Sequence, residues 1–75
     1  MNETSTISAR EALATNLRRL RAERKLSQEM LADLAGIHRN YLGGIERQQR
    51  NVGIDNLDRL ANALNLAVSD LVAVR

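Results

Sequence analysis

The segment SQEMLADLAGIHRNYLGGIERQQR, residues 27–50, decides the fold, because it predicts two short helices joined by a tight turn. The apolar residues of both helices recur at the three-to-four-residue spacing of a buried helix face. They are Leu31, Leu34 and Ala35 in the first helix and Leu42 and Ile45 in the second. Gly36 lies between the helices, where such a turn needs a residue that tolerates positive φ.

The outward face of the second helix is polar and basic. It carries Asn40, Arg47 and, nearer the edge, Arg39. These side chains suit a helix that lies in the major groove of DNA, where base edges offer hydrogen-bond donors and acceptors.

Three further helices are predicted around this pair. Ser8 and Glu11 have the spacing of a capping box, and Ser27 is a good N-cap for the next helix. No segment alternates with period two, as a half-buried strand would. The predicted helices cover residues 9–24, 28–35, 39–48, 54–64 and 68–73. We therefore expect a compact all-α fold, with residues 1–8 as a flexible tail and residues 9–75 as one domain.

The predicted core is aliphatic, because Tyr41 is the only aromatic residue among the 75. A chain of this length buries only about 60% of its unfolded surface, so tight helix packing is needed. Outside residues 27–50 the core positions are Leu13, Leu17 and Leu20 in the first helix, Ile54, Leu57, Leu60, Ala61 and Leu64 in the fourth, and Val68, Leu71 and Val72 in the last.

The net charge of +2 is unevenly distributed. Residues 10–25 hold six cations and two acidic residues, whereas acids slightly outnumber bases after residue 53. This asymmetry indicates an anionic partner, most simply nucleic acid, although a solvated helix surface would also explain the charge run alone.

The residue inventory argues against several other classes of protein. The chain has no cysteine and a single histidine, so neither a metal site, a cofactor nor an enzyme active site is predicted. No apolar run is long enough to span a bilayer, and the N-terminus lacks the apolar core of a signal peptide. A cytoplasmic protein is expected.

Residues 27–37 and 45–47 resemble the Xre-type helix-turn-helix family, which includes the DNA-binding domains of lambda and related phage repressors. The similarity extends from about Leu13 to Val72. Within this family, the chain most resembles the controller proteins of restriction–modification systems. The resemblance lies in the segment Gly-Ile-His-Arg-Asn-Tyr-Leu-Gly-Gly-Ile-Glu-Arg, residues 36–47, and in the Arg-Asn pair at residues 50–51. The resemblance implies a five-helix lambda-repressor-like domain, transcription regulation, and a structural ion pair between Arg21 and Glu46.

Base contacts are predicted at the start of the second helix of the motif. Arg39 and Asn40 lie in its first turn, which normally reaches deepest into the groove. Arg pairs with guanine and Asn with adenine through two hydrogen bonds. Tyr41 has two interpretations, a contact to a thymine methyl or a phosphate, and packing along the flank of the helix.

Phosphate contacts are predicted around these base contacts. Gln28 matches a family position that contacts phosphate, and a helix N-terminus also suits an anion. Arg47 and Arg50 are predicted backbone contacts. Asn51 either binds phosphate or caps the loop. His38, at the predicted N-cap of the second helix of the motif, either caps that helix or contacts phosphate.

Gly43 and Gly44 depart from the family pattern, because phage repressors often carry base-reading side chains at these positions. We count both among the predicted base-contact positions. Either the glycines allow unusually close approach of the backbone to DNA, or direct readout is lost there and DNA shape contributes instead.

A homodimer on double-stranded DNA is expected, because a single recognition helix reads too few base pairs. Such dimers bind half-sites about 34 Å apart. The C-terminal region has more apolar surface than a short helix needs for its own core, and the resemblance also puts a dimer contact there. The predicted interface is formed by Leu64, Val68, Leu71, Val72 and Val74.

The leading prediction is thus a regulator that binds an inverted repeat, with RNA polymerase as a further candidate partner. The alternative is an antitoxin that binds a toxin and represses its own operon. Few residues outside the predicted core remain to wrap a toxin, which argues against it. A further alternative is a simple protein-interaction module, because a fold alone does not determine function.

Overall fold

A computed structural model describes residues 7–74, so most of the predicted flexible tail over residues 1–8 lies outside the described residues. Its five helices are α1 (Ala9–Arg24), α2 (Gln28–Ala35), α3 (Arg39–Glu46), α4 (Ile54–Ala63) and α5 (Val68–Leu71). The predicted all-α fold is confirmed. The last three helices end one or two residues earlier than predicted. Among the described helices, none has the length and apolar character that crossing a membrane requires.

The helix boundaries follow from local hydrogen bonding. The hydroxyl of Ser8 accepts from the Glu11 amide at 3.1 Å, and that of Ser27 accepts from the Met30 amide at 3.0 Å. Both predicted N-caps are therefore confirmed. After α2, Gly36 adopts a left-handed conformation with φ of 72°, as the tight turn requires.

The helices enclose one core. α1 packs against α3 and α5, α2 packs against α3 and α4, and α4 packs against α5. Ala32, only 1% exposed, lies in the buried face of α2, where α3 and α4 both approach that helix. The core is aliphatic, as predicted; its members are Leu13, Leu17, Leu20, Leu31, Ala32, Ala35, Leu42, Ile45, Leu60, Ala61, Leu64 and Leu71.

Two residues predicted to be buried are exposed. Leu34 is 61% exposed, because the buried face of α2 is centred on Leu31, Ala32 and Ala35, which turns Leu34 towards solvent. Ile54 is 67% exposed, because it is the first residue of α4 and its side chain projects away from the core.

Candidate nucleic-acid interface

The first turn of α3 presents the two residues predicted to read bases. Arg39 and Asn40 are the first two residues of α3, and both are exposed. His38 occupies the predicted N-cap position with an extended backbone. Within the described chain its side chain makes no capping hydrogen bond, so the capping interpretation is wrong. The phosphate contact remains a prediction for His38.

The C-terminal end of α3 is fixed by a buried carboxylate. Glu46 is 3% exposed, and Arg21 from α1 donates to both of its carboxylate oxygens, from Nε at 2.7 Å and from Nη2 at 2.8 Å. Arg21 Nη1 also donates to the carbonyl of Leu26 at 3.1 Å. The structural ion pair between Arg21 and Glu46 that the family resemblance implied is therefore confirmed. Its bidentate geometry fixes the orientation of both side chains.

Hydrogen bonds and charge stabilise the ionised form of this pair. Burial raises the pKa of Glu46, but the hydrogen bonds from Arg21 and Gln28 and the charges of Arg21 and Arg18 outweigh it, so the pKa is lowered from its ordinary value. The hydrogen bond to Glu46 likewise raises the pKa of Arg21. Glu46 thus remains ionised inside the protein at neutral pH.

Gln28 connects this cluster to α2. Its Nε2 donates to Glu46 Oε1 at 2.9 Å, and the side chain is half-buried. This bond holds the first residue of α2 against the last residue of α3. The predicted phosphate contact of Gln28 is compatible with this position, because the backbone N–H groups of the first turn of α2 also favour an anion.

Gly43 and Gly44 are buried beneath side chains of the protein. A Cβ atom on Gly43 would lie 3.1 Å from Arg47 Nη1 and 3.5 Å from Gln28 Oε1. The aliphatic part of Arg50 crosses Gly44. The two predicted phosphate contacts Arg47 and Arg50 are themselves exposed, and they lie over the glycines.

Tyr41 and Asn51 join α3 to the loop that follows it. Tyr41 is half-buried against the core, and its hydroxyl donates to the Asn51 carbonyl at 3.0 Å and accepts from Asn56 Nδ2 at 3.2 Å. The Asn51 side chain accepts a hydrogen bond from Arg10. Both residues therefore hold the loop in this structure, in agreement with the packing and loop interpretations, and their contacts to DNA remain predictions.

The predicted dimer residues divide into two groups. Leu64 and Leu71 are fully buried in the core, so they have no surface to offer a second copy in this conformation. Val68 and Val72 are half-buried, and Val74 is 61% exposed. Of the five predicted interface residues, only the three valines therefore have surface exposed to solvent.

Sequence reasoning missed two residues that position these surfaces. Arg18 donates from Nη1 to the carbonyl of Glu46 at the end of α3. Asn16 is 2% exposed, and its Nδ2 donates to the carbonyls of Leu71 and Ala73, each at 2.8 Å. The signal for Asn16 was its place beside Leu13 and Leu17 on the buried face of α1, where a polar residue needs a partner.

Known proteins share this fold and much of this sequence. A family model described as helix-turn-helix matches residues 17–71. Control protein C.SmaI of Serratia marcescens is 48% identical over 63 residues, which cover 84% of this chain and 75% of that protein.

Two solved structures are also similar. The restriction-modification controller protein C.AhdI from Aeromonas hydrophila has a TM-score of 0.77 and 47% identity, over 80% of this chain and 91% of that one. The hypothetical transcription factor NHTF from Neisseria has a TM-score of 0.84 and 35% identity, over 88% of this chain and 76% of that one.

Proposed function

The chain belongs to the Xre-like helix-turn-helix family of DNA-binding regulators, and from this membership we propose that it binds an inverted-repeat operator as a homodimer and controls transcription there. Its similarity to C.SmaI and C.AhdI supports the more specific role of a restriction–modification controller protein. Bound beside a promoter, such a dimer would lie within reach of RNA polymerase.

The observation that carries this proposal is the exposure of Arg39 and Asn40 in the first turn of a helix whose last residue, Glu46, is fixed to the core. The two side chains have the donors and acceptors that pair with guanine and adenine. The Arg21–Glu46 pair holds α3 on the core, which limits the positions that the two side chains can take. A pre-oriented pair of this kind favours discrimination between base sequences.

The remaining polar residues of this face would orient the domain on the DNA backbone. The proposed phosphate contacts are Gln28, His38, Arg47, Arg50 and Asn51. Several such contacts release counterions from DNA, so affinity should fall steeply as salt rises. Tyr41 would meet DNA only through the exposed part of its side chain, and Gly43 and Gly44 lie in the same region beneath the side chains of Arg47 and Arg50.

Two copies would each supply one recognition helix. We propose that they meet through Val68, Val72 and Val74, so that the two helices enter successive turns of the major groove, about 34 Å apart. Sedimentation of Val74→Asp should then give a folded monomer. Ile54→Asp is the matched control, since Ile54 is similarly exposed but lies at the start of α4. A dimer that survives Val74→Asp would contradict this interface.

The experiment that tests the function is selection of binding sites from a random duplex library by the purified protein. The expected result is an enriched inverted repeat with half-sites one helical turn apart. The double variant Arg39→Ala, Asn40→Ala should fold but enrich no sequence. Asn62→Ala, which removes an exposed asparagine from α4, should enrich the same repeat as the unmodified protein.

The same selection separates the alternatives. Two repeats in tandem upstream of the protein's own gene would support the controller role. No enriched sequence from protein shown to be folded would overturn the proposed function, and would favour an antitoxin or an interaction module that needs its partner.

A further inference from the structure

The chain reverses direction immediately after α3. Gln48 adopts a left-handed conformation with φ of 61°, and its amide donates to the Ile45 carbonyl at 3.0 Å. The Gln49 amide then donates to the Gly44 carbonyl at 2.8 Å. This pair of bonds is a Schellman motif, which turns the chain back over the last turn of the helix. Arg50 follows it directly and therefore lies over α3.

Gly44 is the residue over which Arg50 passes. A Cβ atom on Gly44 would overlap Arg50 Cγ, and it would lie 3.3 Å from Nε and 3.4 Å from Cδ. The aliphatic part of Arg50 thus occupies the space that any other residue at position 44 would fill. Gly44 is buried as a result, although it lies on the polar side of α3.

Helix geometry relates this contact to the proposed recognition surface. Residues four apart lie on the same helix face, so Gly44 follows Asn40 along α3 and Gly43 follows Arg39. Arg50 therefore lies across the helix one turn behind Asn40. Because the Arg50 side chain covers Gly44, direct approach of the DNA backbone to this glycine would require Arg50 to move away first.

We propose that Gly44 is a positioning residue for DNA binding, because its lack of a side chain lets Arg50 lie across α3 with its guanidinium beside the row begun by Asn40. Arg50 then supplies, from the loop, the polar group that other residues at position 44 would supply from the helix. Its ligand is a phosphate oxygen of the DNA backbone. This inference rests on the proposed function, since it assumes that this side of α3 meets DNA.

Gly43 has a different environment. Its Cβ would approach the terminal atoms of Arg47 and Gln28, which belong to flexible side chains and can move by a few tenths of an ångström. The contact at Gly44 involves Cγ and Cδ, whose displacement moves the whole Arg50 side chain. A substitution at position 43 should therefore cost less affinity than one at position 44.

A double-mutant cycle tests the proposal with the DNA repeat selected by the unmodified protein. Gly44→Ala should weaken binding about tenfold, the loss expected for one good arginine contact. In the Arg50→Ala background the same change should have no further effect. Each single variant should also reduce the slope of log affinity against log salt by about 1, since one phosphate contact is lost.

Thermal unfolding of the four proteins separates positioning from stability. Ala is a better helix former than Gly, which offsets part of the cost of displacing Arg50 Cγ, so Gly44→Ala should still fold and unfold in one cooperative transition. Gly53→Ala is the control for a glycine-to-alanine change, because a Cβ there meets nothing within 4 Å. It should leave DNA affinity and the salt slope unchanged.

Three results would overturn the inference while leaving the proposed function intact. They are unchanged affinity in Gly44→Ala, an equal loss in the presence and absence of Arg50, and failure of Gly44→Ala to fold. The second result would instead support close approach of the DNA backbone to Gly44. If the unmodified protein selects no sequence, the proposed function fails, and the inference fails with it.

Discussion

Charged and polar side chains of α3 have opposite surroundings; we call its buried residues the inner side and its exposed residues the outer side. On the inner side Glu46 is 3% exposed and accepts hydrogen bonds from Arg21 and Gln28. On the outer side Arg39 and Asn40 are exposed to solvent. The inner groups have exchanged water for fixed protein partners, whereas the outer groups retain hydration that a ligand can replace.

This difference separates the residues of α3 that stabilise the fold from those that are available to bind DNA. A buried ion pair contributes little net stability relative to an apolar pair, but it allows few geometries, and loss of one partner is costly. Exposed arginines have little effect on folding and are free to contact an anion. Substitutions on the inner side should therefore change stability, and substitutions on the outer side should change DNA binding.

The largest effect is expected from Glu46→Ala, which leaves Arg21 partly buried beside an empty space. The free energy of unfolding, measured by urea titration, should fall by about 3–5 kcal/mol. Glu23→Ala is the matched control, because Glu23 forms an exposed pair with Arg19 at 3.1 Å. Its effect should stay below about 1 kcal/mol. Equal losses of unfolding free energy in the two variants would show that the buried pair matters no more to stability than the exposed pair does.

Arg39→Ala tests the outer side. It should reduce discrimination between the selected site and one with a changed base pair by about 1–3 kcal/mol, while unfolding changes by less than about 0.5 kcal/mol. Arg47→Ala should instead weaken all sites to a similar extent and reduce the salt slope by about 1. Binding titrations on both DNA sites at several salt concentrations distinguish these outcomes. A large loss of stability in Arg39→Ala would contradict the separation of the two sides.

The inner side was partly predictable from the sequence. Spacing of apolar residues located all five helices, and Gly36 marked the turn because a left-handed residue is needed there. The Arg21–Glu46 pair came from the family resemblance, since spacing alone does not reveal which of several arginines meets a carboxylate 25 residues away. Leu34 was misassigned because helical periodicity identifies an apolar stripe but not the direction from which neighbouring helices approach.

The outer side was predictable as a list of residues but not as a surface. The position of Arg50 over Gly44 depends on the left-handed conformation of Gln48, and glutamine gives no local signal for it. The bond from Tyr41 to the Asn51 carbonyl depends in the same way on the path of the loop. Such contacts follow from tertiary structure, which overrides local preference.

The inner side should also respond to acid. Because the folded protein holds the pKa of Glu46 below its ordinary value of 4.5, the stability contributed by its ionised form is complete above that value. It is lost as pH falls through the lower pKa of the folded state. The slope is at most about 1.4 kcal/mol per pH unit for one proton.

Glu46→Gln isolates this contribution from that of the other carboxylates. The stability difference between the unmodified protein and Glu46→Gln, measured by urea titration from pH 7 to pH 3, should be constant at first and then shrink below about pH 4.5. Arg39→Ala should show no such convergence with the unmodified protein. A difference that stayed constant to pH 3 would contradict a structural role for the ionised form.

The smallest effect is expected at Gln48, the turn that carries the chain from the inner side of α3 to the outer side. Its φ of 61° disfavours any residue with a Cβ, so Gln48→Gly relieves strain, although glycine also gains freedom in the unfolded chain. A net stabilisation of up to about 1 kcal/mol should raise the melting temperature by up to about 4–8 °C. Gln49→Gly is the matched control. Since Gln49 is outside the left-handed region and its side chain accepts from Arg47 Nε at 3.0 Å, this variant should lose stability.

Because Gln48→Gly preserves the chain reversal that places Arg50 over Gly44, DNA affinity should stay constant while stability rises. A parallel change in affinity would mean that the turn itself belongs to the binding surface, and that stability and binding are coupled at the end of α3.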